Sequence, residues 1–217
     1  MSDATITETD DAVEIPHGYD DGQDHIGLPH NTSTGLSNTK LAMWLFLGSE
    51  CLLFGGLIST YMLYRNRQAD QLGPDQLWDI PFTSATSFVL LMSSLTMVMA
   101  VSNAKRKDEQ RTKLWLTVTA LLGALVLAGQ VYEFTVFYRE GLGYTTSLFS
   151  SSFYTLTGFH GVHVAVGIVM LLSLVAMLAK GKLVGDKHET VEMIGLYWHF
   201  VDVVWIVIFT LVYLIPA

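Results

Sequence analysis

His160 and His163 stand three residues apart in "GFHGVHVAVG" (Gly158–Gly167), inside a run that is otherwise soluble in lipid. Imidazoles at that spacing share one face of a helix, where they could ligate a metal or haem or hydrogen-bond to neighbouring helices. The same spacing recurs in Gln130/Glu133 and His199/Asp202, while Glu50 stands between Ser49 and Cys51 in a fourth apolar run. An ionisable side chain inside a membrane span costs about 2.5–3.5 kcal/mol on insertion scales, so each must face protein or water and find a partner.

Metal ligation asks more than two imidazoles. Zinc or copper sites need three or four donors with fixed orientation, and haem ligation usually takes histidines on different helices at matched depth. His160 and His163 share a face and His199 lies at another depth, so hydrogen-bonded histidines fit the pattern better than ligands, and no metal or cofactor is expected in this chain. Cys51 is the only cysteine, which excludes an intrachain disulfide and a cysteine-rich centre. His17, His25 and His30 are expected to be ordinary surface residues.

The polar residues need elements to hold them, and five segments are long enough for a bilayer core of about 30 Å. They lie near 41–64, 82–101, 113–138, 152–179 and 192–215. Continuous apolar runs without two-residue alternation select helices over a barrel, so the fold is an all-α membrane protein, a bundle of five transmembrane helices spanning 40–217. Eight acidic residues fall between Asp3 and Asp24, and residues 1–39 read as a solvated, disordered acidic tail. Nine of the twelve lysines and arginines fall on the tail's side: Lys40, Lys105, Arg106, Lys107, Arg111, Lys113, Lys180, Lys182 and Lys187. Arg65, Arg67 and Arg139 fall opposite, which predicts a cytoplasmic N-terminus and a C-terminus outside. Tyr61, Tyr64, Trp78, Tyr138, Tyr144 and Tyr213 are expected in the outer aromatic belt.

Counting 1.5 Å per residue puts Glu50 and Asp202 roughly 15 Å from the cytoplasmic helix ends, and Glu133 and His160 roughly 8 and 12 Å from the outer ends. The expected interhelical partners are Glu50 with His199 or Asp202, and Glu133 with His160 or His163. Gly158, Gly161, Gly167, Gly55, Gly56, Gly123 and Gly129 are expected to admit a neighbouring backbone. Glu50 is either a proton-handling, carbodiimide-reactive acid or a structural hydrogen-bonding group; its residue type and depth leave both open. A Gly-rich phosphate loop, a hydrolase-like triad and a basic stripe are all lacking, so nucleotide hydrolysis and nucleic-acid binding are not expected.

At this level the segments "SSFYTLTGFHGVHVAVG" (Ser151–Gly167), "YWHFVDVVWIVIFTLVY" (Tyr197–Tyr213), "WLFLGSECLLFGG" (Trp44–Gly56) and "LGALVLAGQVYEF" (Leu122–Phe134) together resemble subunit III of haem-copper terminal oxidases. The resemblance covers Trp44 to Tyr213. Many members have seven helices; this chain resembles the shorter, five-helix bacterial form. Phe134 stands where tyrosine is common, and "FTSATSFVLLMSSLTMVM" is similar only loosely.

The resemblance implies an accessory, metal-free subunit of a cytochrome c oxidase that reduces dioxygen to water in aerobic respiration coupled to proton translocation. Haem and copper would sit in partner subunits I and II, with bound phospholipid beside this chain and cytochrome c, or alternatively quinol, as donor. It implies a role in proton uptake and in stability of the catalytic subunit, with Glu50 at the position of the carbodiimide-reactive glutamate and a prokaryotic plasma (inner) membrane as location. Gln130, Glu133, His160, His163, His199 and Asp202 remain as a structural polar network. Two readings of other classes stand beside it: a haem- or metal-binding membrane enzyme using the histidines, and a carrier built on Glu50, Glu133 and Asp202.

Overall fold

The computed structural model describes residues 38–65, 80–181 and 187–215. The tail through residue 37 with His17, His25 and His30, and also Arg67, the Gly73-Pro74 loop, Trp78 and Lys182, lie outside the described residues.

Among those residues the chain forms five long helices: α1 Asn38–Arg65, α2 Ile80–Lys105, α3 Glu109–Arg139, α4 Leu148–Ala179 and α5 Lys187–Phe209. A π-helical turn, Thr210–Leu214, extends α5. Each of the five is long and apolar enough to cross a bilayer. Several start earlier than the apolar windows predict, because hydropathy marks the lipid-crossing part while capping groups decide where a helix begins. Asp108 caps α3 by accepting from the Arg111 amide at 3.1 Å, so the helix begins at Glu109, four residues before the expected start. Ser147 caps α4 by accepting from the Ser150 amide at 3.0 Å. The α3 C-terminus closes on Gly141, whose φ of +95° lets the Leu142 amide reach the Phe137 carbonyl at 2.9 Å.

Helices α2, α3, α4 and α5 pack in a ring in which each touches the next, and α1 lies outside it against α4 and α5. Consecutive members of the ring are antiparallel. Thr83 near the start of α2 bonds Glu133 near the end of α3, and Thr96 meets Thr119 at 2.8 Å halfway along. On the other side of α2, Ser93 accepts from the Trp198 indole at 3.0 Å and Ser87 from the Trp205 indole at 2.8 Å. A buried indole or hydroxyl needs such a partner, and across lipid-facing helices it doubles as the link between them.

Four of the seven glycines expected at contacts receive a neighbour, and what they receive is a side chain. A Cβ on Gly123 would lie 2.5 Å from the Trp198 ring, and one on Gly167 2.8 Å from the same ring, so the two form a slot for the largest fully buried side chain. Gly161 takes the Gln130 amide in the same way, at 2.7 Å, and Gly129 meets Thr86 at 3.1 Å. Gly55, Gly56 and Gly158 have nothing within 4 Å, a correction to the expected backbone contacts: they face outward, where lipid or a partner would lie.

The aromatic belt is also partly corrected. Tyr138 and Tyr144 are exposed, as a belt requires, but Tyr61 and Tyr213 are buried within the bundle. Arg65 explains their inward turn. It is itself buried, and its guanidinium donates to the Leu211 carbonyl at 2.6 Å and to the Ile215 carbonyl, filling the end of the π-helical turn beside those tyrosines.

Because the indole of Trp198 fills the Gly123/Gly167 slot, Gly123→Ala and Gly167→Ala should each destabilise the detergent-solubilised protein by about 1–3 kcal/mol through overpacking. Gly55→Ala should stay within about 0.5 kcal/mol of the parent in the same unfolding titration.

Candidate functional site

Glu50 lies near the middle of α1 and His163 near the middle of α4, and their side chains meet: Glu50 Oε2 is 3.0 Å from His163 Nε2. This overturns the expected partner of Glu50, which was His199 or Asp202. The other imidazole nitrogen, Nδ1, lies 2.7 Å from the Phe159 carbonyl one turn earlier on α4. A carbonyl only accepts, so Nδ1 carries a hydrogen, and the Nε2···Oε2 contact then holds one proton, placed on the carboxyl or on the ring. The pair is therefore a neutral acid–imidazole contact or an ion pair, interconverted by moving that proton about 1 Å along the hydrogen bond.

Several neighbours fix this geometry. Phe54, one turn beyond Glu50, packs edge-on against the imidazole with ring centroids 5.0 Å apart. Tyr197 of α5 donates its hydroxyl to the His163 carbonyl at 3.1 Å and stacks on Phe46 of α1. Met43, Phe46, Val162, His163, Val166, Met170 and Tyr197 line a groove beside the pair. Both side chains of the pair are 14% exposed, so the shared proton sits at the rim of the bundle, open toward whatever covers α1.

The second expected contact, Glu133 with His160 or His163, is likewise replaced. Glu133 is buried and receives the Thr83 hydroxyl of α2. His160 turns inward instead and lies against the Trp205 indole, ring centroids 4.7 Å apart. It is 1% exposed, and neither ring nitrogen has a hydrogen-bond partner among the described residues. Gln130 donates to the Thr157 carbonyl of α4 at 2.6 Å. His199 meets Ser94 of α2 at 2.7 Å, and Asp202 is buried beneath it.

Residues three apart on a helix differ by 60° in direction, enough at a seam to address different neighbours. The pairs that share a face in sequence are therefore divided: Gln130 serves α4 and Glu133 α2, while His160 serves α5 and His163 α1. Thr83, Ser87, Ser93 and Ser94, which sequence reasoning passed over, supply α2's side of these contacts. Their signal was the density of small hydroxyl residues within the apolar run of α2. Among the described residues no group of three or more His, Cys, Asp or Glu side chains converges as a metal site would require.

Residues 28–216 match the family described as cytochrome c oxidase subunit III. The chain is 42% identical to cytochrome c oxidase subunit 3 of Bacillus sp. (strain PS3), an alignment covering 82% of this chain and 86% of that protein. It is 37% identical to quinol oxidase subunit 3 of Bacillus subtilis (strain 168), covering 89% of this chain and 94% of that one. To the cytochrome bo(3) ubiquinol oxidase subunit 3 of Pseudomonas aeruginosa it is 34% identical, over 95% of this chain and 94% of the relative.

A double-mutant cycle on Glu50→Ala and His163→Ala, read by thermal unfolding in detergent, should give a coupling of about 0.5–2 kcal/mol. A coupling indistinguishable from zero would mean that the two side chains do not share the proton.

Proposed function

The chain belongs to the cytochrome c oxidase subunit III family, and on that footing we propose that it serves a prokaryotic complex carrying electrons from cytochrome c to dioxygen. It is an accessory, multi-pass membrane subunit of a haem-copper terminal oxidase, and the oxidoreductase activity belongs to the complex. In the proposal its immediate partners are subunits I and II, which supply the haem and copper where dioxygen becomes water. The complex lies in the plasma membrane with this chain's N-terminus in the cytoplasm, in line with nine basic residues on that side. In the proposal the acidic segment ahead of α1 lies on the cytoplasmic side, its expected end at residue 39 moved back by the start of α1 at Asn38, and phospholipid fills part of the outward surface of α1, where Trp44, Leu45 and Leu52 are exposed.

One observation carries the mechanistic part: the 3.0 Å contact between Glu50 Oε2 and His163 Nε2, near the middles of α1 and α4 on the open side of the bundle. A group that takes or releases a proton without leaving its place can relay or buffer protons for a neighbouring subunit, supporting proton uptake and so the durability of the catalytic centre. Gln130, Glu133, His160, His199 and Asp202 are assigned to holding the helices around it.

A second reading, subunit III of a quinol oxidase, is supported by the quinol-oxidising relatives, which are nearly as similar as the one named for cytochrome c. A copper-binding cysteine pair in the complex's subunit II, with the corresponding additional copper in the purified complex, supports cytochrome c as donor. A complex without either supports quinol.

Glu50→Gln keeps a hydrogen-bond donor facing His163 Nε2 but removes the mobile proton. The variant complex should assemble normally and start turnover near the parental rate, then lose proton uptake or inactivate a few-fold sooner under sustained oxygen consumption. Parental pumping together with parental endurance would reduce Glu50 to a structural role. His163→Ala, which leaves the carboxyl unpartnered, should mainly lower the yield of assembled complex.

A further inference from the structure

Asp202 is 3% exposed, and neither of its carboxyl oxygens has a hydrogen-bond partner among the described residues. A bare carboxylate sealed in an apolar bundle is costly, so the group needs a proton, a water or both. The elements packed against α5 offer few charges. From α1, Lys40 is paired with Glu192, Glu50 with His163, and Arg65 with carbonyls at the far end of α5; from α4, His160 lies on Trp205. None of these bonds Asp202. From α2 come the Ser94 hydroxyl and Lys105, the latter at the mouth of a groove.

Ser94 Oγ also lies 2.7 Å from His199 Nδ1, and His199 stands one turn before Asp202 on the same face of α5. His199 in turn lines the groove between α2 and α5, with Val98, Val101, Ser102, Lys105, Glu192 and Gly195. The groove is open to the surface and offers about 300 Å³, room for several water molecules beside a lysine, a glutamate and a serine.

We infer that Asp202 is a second protonation site, held as the neutral acid and connected by Ser94 and His199 to water in the α2/α5 groove. Hydrogen-bond polarity runs one way along the chain. The Asp202 carboxyl donates to a bridging water, which donates to Ser94 Oγ; the Ser94 hydroxyl donates to His199 Nδ1; and His199 Nε2–H points its proton to the groove. Release moves one proton through each link: Nε2 gives its proton to groove water, Nδ1 takes the Ser94 proton, Ser94 takes one from the bridging water, and that water takes the Asp202 proton. What remains is an Asp202 carboxylate and the other tautomer of His199, and the reverse sequence restores both. The site is separate from the Glu50–His163 pair, which lies on the α1/α4 seam.

Infrared spectra of the full chain in lipid vesicles test this directly. Subtracting Asp202→Asn from the parent should isolate the C=O stretch of a protonated carboxyl, and transfer to D2O should shift it promptly. Ser94→Ala and His199→Phe should slow that shift by at least about fivefold, the effect of losing one hydrogen-bond link, while Ser94→Thr should exchange as the parent does. Circular dichroism before exchange confirms that each variant is helical, and Ser94→Thr controls for repacking. Carboxylate bands alone in the difference spectrum, or exchange in Ser94→Ala as fast as in the parent, would overturn the inference.

Discussion

A polar atom inside a bilayer has little water to fall back on, so most are answered by another part of the protein, and that requirement organises the bundle. The apolar surface of one helix is as content against lipid as against its neighbour, so hydrophobicity alone does not say which helix adjoins which. The answers do. Ser87 and Ser93 receive two indoles of α5, Thr83 and Thr96 bind α2 to α3, Gln130 ties α3 to the backbone of α4, and Glu50 ties α1 to His163. Each contact selects both a neighbour and a depth, and together they leave one ring order with α1 outside.

Close packing works within that frame. Trp198 is fully buried only because two glycines, on α3 and α4, vacate the volume its ring occupies. The same indole reaches a serine on α2, so one side chain of α5 touches all three other members of the ring. Dispersion and a hydrogen bond are thus obtained from a single residue, and the glycines owe their use to its shape and not to close backbone approach.

The architecture was legible in the chain because an apolar run of bilayer length admits one solution, a helix, and five runs admit five. The polar contacts were harder to read, and the reason lies in particular residues. Depth was reckoned for His160; carried three residues further to His163, the same count gives roughly 16 Å, the level of Glu50, so the right partner was within reach of the arithmetic. Direction was not. Whether His160 or His163 points to α1 depends on the rotation of α4, which is set by the Gly161 and Gly167 recesses, and those only acquire meaning once Gln130 and Trp198 are seen to fill them. Tyr61 and Tyr213 misled for a related reason: an interfacial tyrosine and a tyrosine buried beside Arg65 look alike in sequence.

Helix α1 buries the least of any span, yet it is tied to the rest near its start, middle and end, by Lys40 to Glu192, Glu50 to His163 and Arg65 to the closing carbonyls of α5. A shift of one helical turn along its axis would break all three ties together and offer no substitutes. So the helix with the thinnest grip is also the one with the least choice of register: it can come away as a unit, but it has a single way to return.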